Sequence, residues 1–370
     1  MAKTNTYKRA NGSWEAKKMI NGQRKSFYAR TQKEVLEKLR AFENEMEKGT
    51  YIEPQKMKVG EWLSIWCNEY TADIKDSTRF EYFRIIEKRL APSLGSIQLQ
   101  KLRTDSVQAL CNSLAENLSA RSVEFTITIL KSALSQAVKL QYVKNNAAAN
   151  IIKPRKEKKE MQILANVSGF LQAIENHTHK ALFTTLLWLG CRRGEVLGLS
   201  WSDINFEKRE IVLRQQLAKA RTKGGKAELT SLKNGKTRRL KVIPPEVFEI
   251  LREHKKEQLQ TQLLAGQLWS NPHNLVFVGS LGSHLDGNAI TRSFQKVLAD
   301  NNMEVIPLHA LRHTAATLML QNGVSEKTVS EQLGHFSVAF TLDTYAHVTH
   351  EMEKDSASKM QGYIDRIKAV

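Results

Sequence analysis

The chain has 370 residues, enough for two or three domains at roughly 100–200 residues each. With 41% apolar and 7% aromatic residues, every domain can bury a core, which excludes wholesale disorder. Lys and Arg number 56 against 38 Asp and Glu, and the resulting charge of +18 favours a polyanionic partner: DNA, RNA or an acidic membrane surface.

The first thirty residues carry Lys3, Lys8, Arg9, Lys17, Lys18, Arg24, Lys25 and Arg30 against a single acid, Glu15. Asn11-Gly12 and Asn21-Gly22 suit tight hairpin turns, because both residue types tolerate positive φ. The stretches SWEAKKMI and QRKSFYAR read as short strands beside those turns. TQKE, from Thr31 to Glu34, is a capping box opening a helix with Val35, Leu39, Phe42 and Met46 on one face. Residues 1–50 are therefore expected to form a three-stranded sheet with one helix. A basic ribbon of this kind can enter a DNA groove through Lys8, Arg9, Lys17, Lys18, Arg24 and Lys25. The alternative is a solvated basic sheet with no ligand.

GTYIEPQK reads as a linker, and a helical domain is expected over residues 57–152. Trp62, Ile65, Trp66 and Tyr70 fall at helix spacing. So do Phe80, Phe83, Ile86 and Leu90, and then Phe125, Ile129, Leu130, Leu134, Ala137 and Val138. Such aromatic stripes usually serve a core. The better DNA contacts are Arg79, Arg84, Arg121 and Lys131, with Lys75 and Lys88 beside them, although charged residues also simply solvate helix faces. IIKPRKEKKE then marks a boundary. Its Lys153, Arg155 and Lys156 are suited to following a phosphate backbone.

A third domain is expected over 160–370. Helical patterns cover Ile163–Asn176 and Lys180–Leu199, and strands come next in IVLRQQL and LTSLKNGKTRRLKVI with a turn at Asn234-Gly235. Helices resume at Glu246 and again from Gly287. Cys67, Cys111 and Cys191 form no C-x-x-C pair, which argues against a metal ribbon or disulfide framework and for an intracellular protein. The polar N-terminus does not read as a secretory signal, and ALFTTLLWLGC is too short to span a bilayer, so no membrane partner is expected.

In this last domain CRRGE supplies Arg192, Arg193 and Glu195 at the end of a buried helix. HALRH supplies His309, Arg312 and His313, LGH supplies His335, and Tyr345 lies ten residues on. HALRH lacks the Glu of a zinc hydrolase helix, and no acidic cluster, P-loop or G-x-S-x-G elbow is present, so no cofactor or metal is expected. Two arginines, a lysine and histidines instead make a cationic pocket suited to a phosphodiester and its transition state. Nearby positive charge is expected to ease ionisation of Tyr345.

These pieces resemble, in order, the motifs of the tyrosine recombinase, or phage integrase, family. LGCRRGEVLGLSWSDI is similar to its first arginine motif and LKNGKTRR to its lysine hairpin. LHALRHTAAT is similar to its His-x-x-Arg motif, and LGHFSVAFTLDTY to its last histidine and tyrosine. The resemblance extends over nearly the whole chain. It implies a multidomain, mainly α fold with small β elements: an arm domain (1–50), a helical core-site domain (57–152) and a mixed α+β catalytic domain (160–370). It further implies that Arg192 and Arg312 clamp the scissile phosphate and that His309 relays the tyrosine proton. Lys233 would protonate the leaving 5′ oxygen, His335 complete the pocket, and Glu195 orient it. Tyr345 would form a 3′-phosphotyrosyl link without metal or ATP.

Arg193 competes with Arg192, and Lys236 with Lys233. His313 and His347 receive no role and read as structural, and Cys191 as a buried small hydrophobe. The tail, with Met352, Met360, Ile364 and Ile367, would dock on a neighbouring protomer of a DNA-bound homotetramer, or else pack on its own domain. Core and arm attachment sites on double-stranded DNA, an excision factor and a host DNA-bending protein are the implied partners, in the nucleoid of a bacterial cytoplasm. The competing readings are a non-enzymatic DNA-binding protein and a topoisomerase-like enzyme that cuts and reseals one strand.

Overall fold

The computed structural model describes residues 6–20, 23–48, 51–155, 161–218, 227–232, 235, 237–345 and 365. The chain divides into two compact units, Met1–Lys158 and Lys159–Val370. The Asn21-Gly22 turn, Lys156, Lys233, Lys236, His347 and the tail stripe lie outside the described residues. No helix among the described residues is long and apolar enough to cross a membrane.

The first unit opens with β1 (Thr6–Lys8), β2 (Trp14–Ile20) and β3 (Gln23–Ala29), an antiparallel sheet in that order. Gly12, at φ +81°, turns β1 into β2, as the Asn-Gly pair predicts. Helix α1 (Gln32–Glu47) starts where Thr31 Oγ1 accepts the Glu34 amide. The Glu34 carboxylate reaches back one residue further than a strict capping box, to the amide of Arg30. Val35, Leu39 and Phe42 are buried on its inner face with Ala16, whereas Met46 is exposed because the sheet ends before it.

The helical part comprises α2 (Val59–Glu69), α3 (Asp76–Ile85), α4 (Ala91–Leu94), α5 (Thr104–Asn117) and α6 (Ala120–Lys139). Between α3 and α4, Ile86–Leu90 form a π-helical turn. The core gathers Trp62, Leu63, Trp66, Ile86, Leu90, Ile127, Leu130 and Leu134. The Trp62 indole N–H donates to the Ala133 carbonyl at 2.9 Å, satisfying its one polar atom and tying α2 to α6. The aromatic stripes are only partly core. Phe80, Phe83 and Phe125 are exposed, because α3 and α6 bury their aliphatic positions and turn these rings outward, and Tyr70 is exposed at the C-terminal end of α2.

The second unit places α7 (Val167–Ala173), α8 (Lys180–Leu189) and α9 (Arg193–Leu197) before a small sheet. That sheet has the order β4 (Ile204–Asn205), β5 (Glu210–Leu213), β8 (Arg238–Arg239). Strands β6 (Gln215–Ala218) and β7 (Glu228–Ser231) pair separately. Then come α10 (Pro245–Ala265), α11 (Gly287–Asp300), α12 (Ala310–Gln321) and α13 (Glu326–Leu333). Residues 338–345 are again helical. Helix α8 is buried on nearly all sides, as its apolar run predicts.

Two helices of this unit end in left-handed glycines. Helix α8 stops at Gly190 and α13 at Gly334, with φ of +61° and +65°. At the second, the Gly334 amide donates to Glu331 and the His335 amide to Ser330, a Schellman closure that aims His335 back along the helix. At the first, an added Cβ would stand 2.6 Å from Leu333 Cδ2 and 3.1 Å from Ala315 Cβ. Gly190→Ala therefore combines a left-handed backbone cost with overpacking. We expect it to destabilise the protein by about 2 kcal/mol, read as a lower urea midpoint; an unchanged midpoint would show that this junction is not tightly packed.

Candidate active site

Arg192 precedes α9 as its N-cap rather than ending the buried helix before it. Its backbone amide donates to Glu195 Oε2 and its Nη1 to Glu195 Oε1, both at 2.8 Å, so one carboxylate fixes both ends of the residue. Its Nη2 donates to the Gly334 carbonyl at 3.3 Å. Arg193 is turned the other way, donating to the Gly287 carbonyl and Thr291 Oγ1, each at 2.7 Å, which makes it a tie to α11. The structure therefore joins Arg192, not Arg193, to Glu195 and the Gly334 carbonyl, while Arg193 lines a cavity with His309 and Arg312.

Arg312 rises from the first turn of α12, almost fully buried. Its Nη1 donates to the Gly190 carbonyl at 2.8 Å and its Nη2 to the Leu333 carbonyl at 2.7 Å. Both acceptors belong to helix C-termini, where unpaired carbonyls carry partial negative charge. Burial, and then the charge of Arg192, lower its pKa to about 10, which leaves it protonated at neutral pH.

Glu195 has a second partner that sequence reasoning missed. Arg238 Nη2 donates to Glu195 Oε2 at 2.6 Å and its Nη1 to Oε1 at 3.3 Å. Burial alone would raise the Glu195 pKa. The charge and hydrogen bonds of Arg238, with those of Arg192, overcome it and hold the carboxyl below its ordinary range. The signal for Arg238 was the alternation within KTRRL: β8 pairs with β5, turning Arg238 inward and Arg239 outward to Glu210. Cys191 is buried, with its pKa pushed up to about 11 by burial, so it stays a neutral thiol as expected.

The histidines divide their tasks. His335 Nδ1 lies 2.7 Å from the Thr341 hydroxyl, and its ring stacks at 6.5 Å from that of Tyr345. Burial, then Arg312 and Arg192, press its pKa down to about 3. His309 begins α12 and sits edge-on to His313 at 5.1 Å. Its pKa is lowered to about 4, by burial first and then by His313, Arg312 and Arg192. His309 nevertheless falls among the exposed residues, so solvent screens part of that influence. Lys233 and its competitor Lys236 fall outside the described residues.

Tyr345 is fully buried against Ala315, Ala316, Leu320, Val329 and Leu333 of its own chain. Its hydroxyl lies 3.0 Å from His313 Nδ1, the histidine to which the sequence assigned no role. The expected ease of ionisation is corrected here: burial pushes the Tyr345 pKa up to about 12, and the opposing effect of Arg312 is smaller. A cation at the pocket does not offset loss of water around the whole ring.

The basic candidates of the first unit lie at or near its surface. Arg9 and Lys17 pair with Glu15, Lys18 with Glu43, Arg79 with Asp76 and Arg84 with Glu81. Lys25 sits over the Tyr51 ring, Lys131 donates to the Ala149 carbonyl, and Lys153 pairs with Glu124. Lys8, Arg24, Arg121 and Arg155 are exposed.

The fold recurs in known proteins. Residues 155–352 match the model of the Phage integrase family, and residues 58–115 that of the phage integrase N-terminal SAM-like domain. A tyrosine recombinase XerC-like protein of Caldanaerobacter subterraneus subsp. tengcongensis is 28% identical over 356 residues, covering 91% of each chain. The ICEBs1 integrase of Bacillus subtilis is 25% identical over 338 residues, covering 90% of each. The fold is similar to the Tn1549 transposon integrase in complex with a circular intermediate DNA (TM-score 0.69, 19% identity, 80% of this chain and 99% of that one). It is also similar to a lambda integrase dimer bound to a COC′ core site (TM-score 0.60, 17% identity, 92% and 94%). The chain belongs to the phage integrase family, as a tyrosine recombinase of the phage or mobile-element type.

The low pKa of His335 has a consequence for stability. The folded value lies below the ~6.5 of an exposed histidine, so folding favours the neutral ring. That contribution is complete above pH ~6.5 and is lost as pH falls from there toward the folded value. The urea midpoint should therefore drop between pH 7 and pH 5, and His335→Gln should flatten the drop; an equal slope in both proteins would refute the assignment.

Proposed function

We propose that this protein is a site-specific DNA recombinase that cuts and rejoins double-stranded DNA at attachment sites, integrating and excising a phage genome or mobile element. The observation that carries the reading is the convergence of Arg192, Arg312, His335, His309 and Tyr345 on one pocket of one chain. Arg192 and Arg312 hold the non-bridging oxygens of the scissile phosphate and offset charge that grows in the transition state. When Thr341 donates to His335 Nδ1, the ring hydrogen sits on Nε2, from which it is donated to the phosphate. Tyr345 attacks phosphorus, the bond to the 5′ oxygen breaks, and a 3′-phosphotyrosyl link forms. The bond energy is conserved, so rejoining needs neither metal nor ATP. Lys233 protonates the leaving oxygen.

The phenolic proton has a nearer acceptor than His309. His313, whose pKa is lowered by burial and by Arg312, is neutral at pH 7 and stands at the hydroxyl. It takes the proton first, with His309 edge-on behind it. Because Tyr345 is enclosed, DNA binding must open a path to its oxygen.

Residues 1–50 serve as the arm domain, 57–152 as the core-site domain and 160–370 as the catalytic domain. The protein acts as a homotetramer on DNA in the bacterial cytoplasm, at the nucleoid, with an excision factor and a host DNA-bending protein setting direction. The basic residues named in the first unit contact the phosphate backbone.

A nicked duplex spanning the junction between the element and its flanking chromosome tests the enzymatic step. Wild type should form a covalent adduct on a denaturing gel, and Tyr345→Phe should form none while binding the duplex as tightly. Binding without any wild-type adduct would favour a non-enzymatic DNA-binding protein; an adduct that persists in Tyr345→Phe would move the nucleophile elsewhere. Adducts that reseal without strand exchange between two junction duplexes would favour the topoisomerase-like reading. For the arm, deleting residues 1–50 should flatten the salt dependence of DNA affinity, since fewer counterions are released. An unchanged slope would mean that the basic sheet does not touch DNA.

A further inference from the structure

Among the described charged side chains, the floor of the pocket holds three guanidiniums, Arg192, Arg238 and Arg312, around one carboxylate, Glu195. The surrounding histidines have lowered pKa values and are neutral at pH 7. Glu195 holds Arg192 in place through its amide and its guanidinium, but it also brings a full negative charge within hydrogen-bond distance of the group meant to face a phosphate. Left alone, it would cancel Arg192 and leave the pocket a single net positive charge, on Arg312. Arg238 meets the same carboxylate with both terminal nitrogens, from the side away from solvent. With it, the cluster carries two net positive charges. A phosphodiester enters with one negative charge and approaches two as the pentacoordinate transition state forms.

Arg238 is built in, not merely present. Only about a tenth of its side chain is exposed, and Gly334 is the residue that makes room for it. A Cβ at Gly334 would fall 2.2 Å from Arg238 Nη1, while the Gly334 carbonyl accepts from Arg192. The Cys191 thiol lies against the same guanidinium. Arg238 thus touches Glu195 on one side of Arg192 and the Gly334 turn on the other. Both of its terminal nitrogens are engaged by the Glu195 carboxylate beneath Arg192, and its buried Nε has no hydrogen-bond partner.

We infer that Arg238 is a positioning residue that neutralises Glu195, so that Glu195 orients Arg192 without cancelling its charge toward the transition state. This rests on the recombinase reading above, and the experiment keeps the two separable. Rates of covalent adduct formation are measured on the nicked junction duplex with a normal scissile phosphate and with an uncharged methylphosphonate at the same position. Thermal melting confirms that each variant is folded.

Arg238→Gln should slow the normal substrate roughly 10- to 100-fold, somewhat less than loss of a direct oxyanion contact, with little change in duplex affinity. On the methylphosphonate the deficit should shrink at least severalfold, because a neutral group asks for less positive charge. Arg238→Lys, which keeps the charge, should retain most of the rate. The double variant Glu195→Gln/Arg238→Gln, which removes both charges, should be faster than Arg238→Gln alone. Equal deficits on the two substrates, or a double variant no faster than the single one, would show a packing role and overturn the inference. Should Arg238→Gln fail to fold, the comparison of Arg238→Lys with the double variant decides in the same way. Absence of any wild-type adduct would instead sink the recombinase reading and leave Arg238 without a reaction to serve.

Discussion

One buried guanidinium closes the second unit on itself. Arg312 leaves the start of α12 and donates to the last carbonyls of two other helices, α8 at Gly190 and α13 at Leu333. A buried charge without partners costs several kcal/mol, and helix C-termini offer carbonyls that lack intrahelical donors. Each need answers the other. Because both helix ends terminate in left-handed glycines, their carbonyls turn toward α12 at close range. The same closure carries His335 into the pocket just past Gly334 and places Tyr345 against α12 and α13. Gln332 reinforces it, accepting from the Lys241 and Val242 amides and donating to the Val242 carbonyl.

Around this junction the electrostatics separate holding from reacting. Glu195, Gly190, Leu333 and Gly334 hold the arginines through charge-assisted bonds, which are shorter and stronger than neutral ones. The histidines are kept neutral, because cations beside them and partial burial both disfavour a further charge. A phosphate entering the pocket reverses the first of these influences, since a negative charge favours the imidazolium. The tyrosine is likewise kept protonated, by burial, and hydrogen-bonded to a neutral His313. The chain at rest therefore holds the phenol protonated next to a neutral imidazole. Water and stray nucleic acid meet no free phenolate.

Much of this was legible in advance where it depended on local chemistry. The basic sheet follows from alternation and the Asn11-Gly12 turn, the start of α1 from Thr31, and the buried run of α8 from its apolar residues. The order of the R-x-G-E, His-x-x-Arg, Leu-Gly-His and Tyr pieces pointed to one pocket. Less visible was which face of an amphipathic helix meets a neighbour: Phe80, Phe83 and Phe125 keep the period of a core stripe and yet are exposed. Arg238 and His313 were hidden for a related reason. Arg238 stands beside Arg239 and His313 beside Arg312, and each looks like one more basic residue until a distant partner, Glu195 or Tyr345, is folded against it.

By itself, then, the sequence determined the class of chemistry. It specified a metal-free cationic pocket with a tyrosine, on a mainly helical chain whose charge suits nucleic acid, because residue types and their spacing dictate which bonds are possible. Tertiary structure alone decided how that pocket is charged and in which protonation state the tyrosine is held. Those properties depend on burial and on contacts between residues far apart in sequence. Arg238 lies 43 positions from Glu195, and Tyr345 lies 32 positions from His313. Local pattern carries no information about dielectric surroundings, so a phenol expected to ionise easily proves to be held protonated by loss of water.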